Sequence, residues 1–370
     1  MNIPESKVAN LQAFGYTEPE ARFLYIAATY SGYFTMWQFL DFVEGASGKR
    51  SARFTEKLFA LGHASAQRYL RRSLVYHLDS RHIYRAIGKE RLRHRREHEL
   101  DHIKTRLLVL DFILAHPEYD YFEGSQDKCR YLIEELKLDA GLFAAQGSRR
   151  DLLTFLDGFP LCLASPSPGL PPVVTFTYVD PGDKNLDAYV AHLRVHRPLF
   201  RRLPRFQFLY ISTAAGRLEE AGLIFGLLVE GKGAGDLLRY FDLQTKWDSK
   251  EYGHLTEVDA LFLYQARRRY AGDFFVSLHR LWKRNQLPEG LHGTETTAGE
   301  REQDSRFRTV TVPGHDTVFG NTTKRWGDAW QIRGRARGAS LRGSPEGKPN
   351  SLREGRMHER QGDVCTRPEH

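Results

Sequence analysis

Lys49-Arg50-Ser51-Ala52-Arg53-Phe54-Thr55-Glu56-Lys57-Leu58-Phe59-Ala60-Leu61 decides the reading of this chain. Phe54, Leu58 and Leu61 recur at helical spacing, and Gly62 stops the run, so the segment reads as an amphipathic helix. Lys49, Arg50, Arg53 and Lys57 occupy its polar side, with Arg53 and Lys57 four residues apart and expected to project together. The basic character continues downstream. Residues 49–106 hold 16 Lys/Arg against 6 Asp/Glu, a net of +10, whereas the whole 370-residue chain carries only +8. The charge is therefore local, and a basic surface concentrated on one small module is the electrostatic footprint of a nucleic-acid binder.

Working back from that helix, Thr17-Glu18-Pro19-Glu20 is a capping-box start for a helix to about Tyr30, stopped by Ser31-Gly32. Met36–Glu44 fits a second, with Trp37, Leu40 and Phe42 as its apolar contacts. Forward of it, Leu74–Leu78 and His82–Ile87 alternate like strands around Asp79-Ser80-Arg81. Helix, helix, helix, hairpin is the order of a winged helix-turn-helix. In that arrangement the third helix lies in the major groove and the hairpin flanks it. Arg68, Arg71, Arg72 and Arg81 then belong to or flank the wing, where phosphate contacts are expected.

The remainder reads as a chain of mixed class, α+β / α/β. Lys89–Ala115 reads as one connecting helix, charged at first and apolar later. From about residue 119 to 288 an α/β domain is expected. Val173–Val179, Lys184–His196 and Phe206–Ser212 make a strand–helix–strand crossover with parallel strands. Phe159–Ala164 adds a strand, Gly216–Leu228 a helix, with a strand as the alternative over Leu223–Val229, and Glu257–Lys283 a last helix interrupted at Gly272. Residues 291–370 hold 14 Lys/Arg and 11 Asp/Glu without an apolar period, so 289–370 reads as a disordered tail. The expected division is 1–88, 89–118, 119–288 and 289–370.

Several function classes are set aside. Three widely spaced cysteines, Cys129, Cys162 and Cys365, give no disulfide framework or Cys-x-x-Cys knuckle. A reducing cytoplasm is the default. Met1–Phe14 lacks the pattern of a signal peptide, and Leu223–Val229 is too short an apolar run to span a bilayer. No phosphate-cradling Gly-x-x-x-x-Gly-Lys-Ser/Thr loop is present, and Gly231-x-Gly233-x-Gly235 reads as a loop rather than a dinucleotide site. No cofactor is expected. Lys246-Trp247 and Arg267–Arg269 read as a solvated helix face.

Two catalytic patterns compete with DNA binding. His98-Glu99-Leu100-Asp101-His102 matches H-E-x-x-H, in which a helix presents two histidines to zinc and the Glu acts as base. His94 extends the same face, with Glu118, Glu123, Glu134 and Glu135 as candidate further ligands. Against it stand the flanking charges Arg95, Arg96, Glu97 and Asp101, which conflict with burial. The 173–212 crossover suits a restriction-endonuclease-like domain, but no acid-x-Lys pair lies on Val173–Val179. Asp180, Asp183 and Lys184 form a turn, so a degenerate, non-catalytic form of that domain is the expectation.

Gly15-Tyr16-Thr17, Ala21-Arg22-Phe23-Leu24-Tyr25, Thr35–Leu40, the basic third helix and Tyr76-His77-Leu78…Ile83-Tyr84-Arg85-Ala86-Ile87-Gly88 together resemble winged-helix proteins of the replication-relaxation type. The segment from His102 to Leu108-x-Leu110-Asp111 is similar to the helix after their wing. The resemblance covers roughly residues 15–115. It implies double-stranded DNA binding in replication, copy control or transcriptional regulation of a plasmid or integrated mobile element. It carries over no catalytic residue. Dimerisation would suit paired half-sites, although no heptad supports it. A protein-interaction scaffold is the remaining non-catalytic alternative.

Overall fold

A computed structural model describes residues 1–44, 48–70, 73–139, 160–165, 169–182, 185–203, 205–287 and 306–312. Met1–Asn321 forms one compact unit. Its described residues form helices and two sheets. Helix α1 (Glu5–Gln12) precedes α2 (Glu18–Tyr30), whose start is the expected capping box of Thr17 with Glu20. A short strand β1 (Tyr33–Thr35) runs directly into α3 (Met36–Phe42), where Thr35 and Gln38 close a second capping box. Helix α4 (Gly48–Ala60) buries Phe54 and Leu58, and β2 (Ser65–Leu70) and β3 (Ser73–His77) follow as a hairpin. The three strands form an antiparallel sheet in the order β1-β3-β2.

This geometry corrects the expected hairpin. His82–Ile87 is not a strand: Arg81–Ala86 forms helix α5, and the hairpin partner of β3 is β2. Ser80 accepts the His82 backbone N–H at 3.3 Å and caps the helix. Ile83, Tyr84 and Ile87 are buried at a spacing of three to four, a helical stripe that also reads as alternation over so short a run. Two apolar contacts differ as well. Trp37 is 65% exposed and Leu61 44% exposed.

The single helix expected over Lys89–Ala115 is also corrected. The chain makes a 3-10 turn at Arg93–Arg95, runs extended through Arg96 and Glu99, and enters α6 only at Leu100–Ala115. Tertiary bonds hold the segment before α6 out of helix. His77 Nε2 bonds to the His94 carbonyl at 3.0 Å, the Tyr33 hydroxyl donates to the Arg96 carbonyl at 3.2 Å, and the His98 N–H donates back to that hydroxyl at 3.0 Å. Gly32 permits the close approach. Its φ is +81°, and a Cβ there would stand 2.5 Å from the His94 carbonyl oxygen.

The second sheet has the order β4-β5-β6-β7-β8. Strands β4 (Asp120–Tyr121), β5 (Leu161–Ala164) and β6 (Val173–Asp180) are antiparallel neighbours. Helix α7 (Ser125–Arg130) follows β4 and continues as a π-turn over Tyr131–Glu135. Helix α8 (Asp187–Arg202) then crosses to β7 (Gln207–Ser212), which pairs parallel with β6 as the spacing predicts. Helices α9 (Leu218–Phe225), α10 (Ala234–Asp248), α11 (Glu257–Arg269) and α12 (Asp273–Lys283) follow, with the expected break at Gly272 between the last two. The expectation of an unstructured tail fails at β8 (Phe307–Thr311), which adds a parallel strand beside β7. Apart from Arg306 and Val312, the rest of that tail lies outside the described residues.

Alternation in β7 shows how the layers meet. Phe208 and Tyr210 face a core with Tyr189, Leu193 and Phe200 of α8, whereas Leu209 and Ile211 join Leu108, Phe112 and Ile113 of α6 and the core of the N-terminal helices. A strand covered on both faces reads as an unbroken apolar run, as Phe208–Ile211 does. Helix α6 is therefore a packing layer shared by both parts. Among the described residues no helix is long and apolar enough to cross a membrane.

Candidate nucleic-acid interface and a basic cavity

Helix α4 turns Phe54 and Leu58 inward, against Phe39, Phe34 and Phe23; the Phe39 and Phe54 rings stack at 4.0 Å. Lys49, Arg50 and Arg53 consequently stand on the exposed side. Lys49 and Arg53 are four apart and share that surface. Arg50 also donates to the Val43 carbonyl at 3.2 Å, tying α4 to the end of α3. Arg68 is exposed on β2, the edge strand of the sheet.

One of the sequence-selected cations behaves differently. Lys57 does not project beside Arg53. Its Nζ lies 2.7 Å from Glu20 Oε2 and 6.0 Å from the Tyr16 ring centre. Glu20 is only 5% exposed, and the same oxygen accepts the Thr17 N–H at 2.8 Å. Burial, with the Glu20 charge as the lesser cause, pushes the Tyr16 hydroxyl well above its usual range, so it stays neutral and bonds to His63 Nδ1 at 2.8 Å. Lys57 is thus a counter-ion inside the module. Arg81, expected in or beside the hairpin, flanks it as the first residue of α5 and is exposed. Arg71 and Arg72 lie outside the described residues.

The H-E-x-x-H segment departs from the zinc-helix expectation. His98 and Glu99 precede α6, so the two histidines are not set by helical spacing. Their rings stack at 4.1 Å, and His102 Nε2 accepts from Arg106 Nε at 3.0 Å. Glu123 bonds to Lys89 and the Tyr25 hydroxyl, and Glu118 pairs with His116 at 3.2 Å. No group of three metal-ligating side chains occurs among the described residues. At the crossover, Asp180 shows the turn chemistry read from the sequence: buried at the end of β6, it accepts from the Tyr210 hydroxyl and from Arg217 Nη1 at 3.2 Å, while its other oxygen accepts the Gly182 N–H at 2.9 Å. Those bonds are a turn anchor. Asp183 and Lys184 lie outside the described residues.

The three histidines nevertheless meet. A cavity of about 270 Å³ lies between α2 and α6 on one side and β4, β5 and the start of α7 on the other, and His94, His98 and His102 line it with Arg93, Arg106 and Lys128. Burial first, then the Arg106 charge, lowers His94 far below the usual imidazole range and His102 to about 4; His98 is lowered chiefly by burial. In all three the shift favours the neutral ring. Tyr30, Tyr121 and Phe122 supply aromatic wall, and Glu123 is its carboxylate among the described residues. Sequence reading singled out the histidines but missed Arg93, Arg106 and Lys128 as their neighbours. The density of Arg and His from Arg93 to Arg106 was the available signal, but a straight helix would have spread these groups along its length.

Comparison with known proteins adds no relative: no family model matches the chain, and neither a curated protein nor a solved structure matches it.

Proposed function

We propose that the chain binds double-stranded DNA as a winged-helix protein, with α4 in the major groove and the β2–β3 hairpin as the wing. The observation that carries this reading is the coincidence of topology and charge. The order α2-β1-α3-α4-β2-β3, with β1 pairing antiparallel with β3, is compatible with a winged helix and supports this reading. Its third helix presents Lys49, Arg50 and Arg53 to solvent, and Arg68 is exposed on the hairpin. Arg50 and Arg53 can grip guanine edges or phosphates through paired donors, whereas Lys49 acts as a point charge on the backbone. The role resembles that of replication-relaxation proteins: control of replication, copy number or transcription in a mobile element. The five-stranded sheet, with its meander and parallel crossover, fits a degenerate restriction-endonuclease-like scaffold that braces the binding module and serves partner binding or self-association.

The test is competition between duplex DNA, single-stranded DNA and RNA for the full chain. The full chain is the right reagent because α6 and the N-terminal core are completed by β5 and β7. Duplex is expected to win. Arg53→Ala is expected to weaken duplex binding about tenfold, as loss of one good base or phosphate contact does. Equal affinity for all three polymers, unaltered by Arg53→Ala, would remove the reading.

A further inference from the structure

Helix α11 packs on the core through Leu263 and Ala266. At about 100° per residue, the face pointing directly away from that core falls on Glu257, Leu261, Tyr264 and Arg268. The middle two are large, apolar or aromatic, and open to water: Leu261 is 60% exposed and Tyr264 78%. Val258, 67% exposed, widens the stripe on one side. A lone exposed apolar residue needs no explanation. Three of them within two turns, on the outermost face of one helix, mark a surface that meets something.

The charges of α11 divide by partner. Asp259 pairs with Arg239 at 2.9 Å, Arg269 with Asp236 at 3.7 Å, and Arg267 donates to Gln244 at 2.8 Å, so these three are engaged with α10. Glu257 and Arg268, the two on the outward stripe, are exposed and make no ion pair among the described residues. They stand about 16 Å apart along the helix axis, too far to pair within one chain.

The stripe is complementary to itself. Glu257 and Arg268 lie at equal distances on either side of the point between Phe262 and Leu263, and so do Leu261 and Tyr264. Turning the helix end over end about that point exchanges acid with base and leucine with tyrosine. A two-fold contact requires this property, because residue i must meet j while j meets i. An unrelated partner would place no such condition on the spacing.

We propose that the chain forms a two-fold dimer through α11, the two copies of the helix lying antiparallel. Leu261 packs on the partner's Tyr264, and Glu257 meets the partner's Arg268, each contact being made twice. The contact is two helical turns long, so association is weak, in the micromolar range. The dimer uses none of Lys49, Arg50, Arg53 or Arg68 and does not rest on the DNA reading. If that reading holds, the dimer supplies two copies of α4 for paired half-sites.

The experiment is sedimentation velocity on the full chain, without DNA, across a concentration series. A reversible monomer–dimer equilibrium is expected. Leu261→Lys, a change at a side chain that water already reaches, is expected to leave only monomer with an unaltered circular dichroism spectrum. Arg268→Glu sets carboxylate against carboxylate at both ends and is expected to weaken the dimer about tenfold. Adding Glu257→Arg to the same chain restores opposite charges in the antiparallel register, so recovery to within about threefold of the parent is expected. A chain that stays monomeric to about 100 µM would overturn the proposal. So would a dimer that survives Leu261→Lys, or a charge exchange without recovery. A monomer that still binds duplex DNA would remove the dimer alone and leave the DNA reading standing.

Discussion

Replacing Lys57 by Ala separates two roles that a basic residue on α4 can have. Lys57 Nζ stands 2.7 Å from Glu20 Oε2, and the two side chains are 32% and 7% exposed. Removing the amine leaves the Glu20 carboxylate in a nearly dry place with only the Thr17 N–H at 2.8 Å for compensation. Breaking a fully buried ion pair costs about 3–5 kcal/mol, and an exposed pair contributes under about 1 kcal/mol. Lys57 is reached by water from one side, so the expected loss is about 1–2 kcal/mol, a fall in Tm of roughly 3–6 °C. Glu20→Gln in the same background is expected to recover part of it. Glutamine still closes the capping box, and the uncompensated charge is gone. The assay is thermal unfolding followed by circular dichroism, with DNA affinity measured across a salt series. Lys57→Ala is expected to lower stability and leave the salt dependence of binding unchanged. Arg53→Ala is expected to do the reverse, with stability within about 0.5 kcal/mol of the parent and the salt slope reduced by about one unit. A Lys57→Ala protein of full stability that loses salt slope would refute the assignment of Lys57 as an internal counter-ion.

Other expectations follow from single contacts. Gly32→Ala forces a Cβ to within 2.5 Å of the His94 carbonyl at a φ of +81°; a loss of about 2 kcal/mol or more is expected in urea unfolding, and a change under about 0.5 kcal/mol would show that the approach is not tight. Phe112→Ala empties a fully buried site in α6, with an expected cost of about 3–5 kcal/mol and both sheets melting together; separate transitions would contradict the shared core. Burial holds His192 down to about 3 and His196, with His192 as the lesser cause, down to about 2. The unfolded chain takes up these protons first, near pH 6.5, so their contribution is complete above that pH and is lost as the solution is acidified. Between pH 7 and pH 5 His192 alone accounts for about 2 kcal/mol. His192→Gln is expected to flatten the urea-derived stability profile by that amount, and an unaltered profile would refute the reasoning.

Local signals in the sequence identified most elements. The Thr17 capping box, the Phe54 and Leu58 stripe and the β6-α8-β7 crossover were legible because each is set by caps, periodicity and spacing within a few residues. Elements fixed by distant partners were not. Strand β1 is three residues long and exists because β3 pairs with it. The break before α6 depends on His77, Tyr33 and the space left at Gly32, and nothing within Lys89–Leu100 announces it. Strand β8 comes from a segment without apolar periodicity and is stabilised by pairing with β7. The site divides the same way. Exposure of Lys49, Arg50 and Arg53 follows from the apolar stripe on their own helix. The diversion of Lys57 to Glu20 requires a residue 37 positions away. The cavity requires α2 and α6 to meet β4, β5 and α7, and periodicity along one segment carries no information about that.

The central claim is that the exposed cations of α4 and the hairpin hold duplex DNA. The most direct test is the slope of log affinity against log salt concentration for the full chain and for a Lys49→Ala/Arg50→Ala/Arg53→Ala/Arg68→Ala variant. Each neutralised phosphate contributes a slope of about −0.9. Loss of four contacts is therefore expected to make the slope shallower by about three to four units. A variant that keeps the parent slope would contradict the account, because the phosphates would then be held by some other surface of the chain.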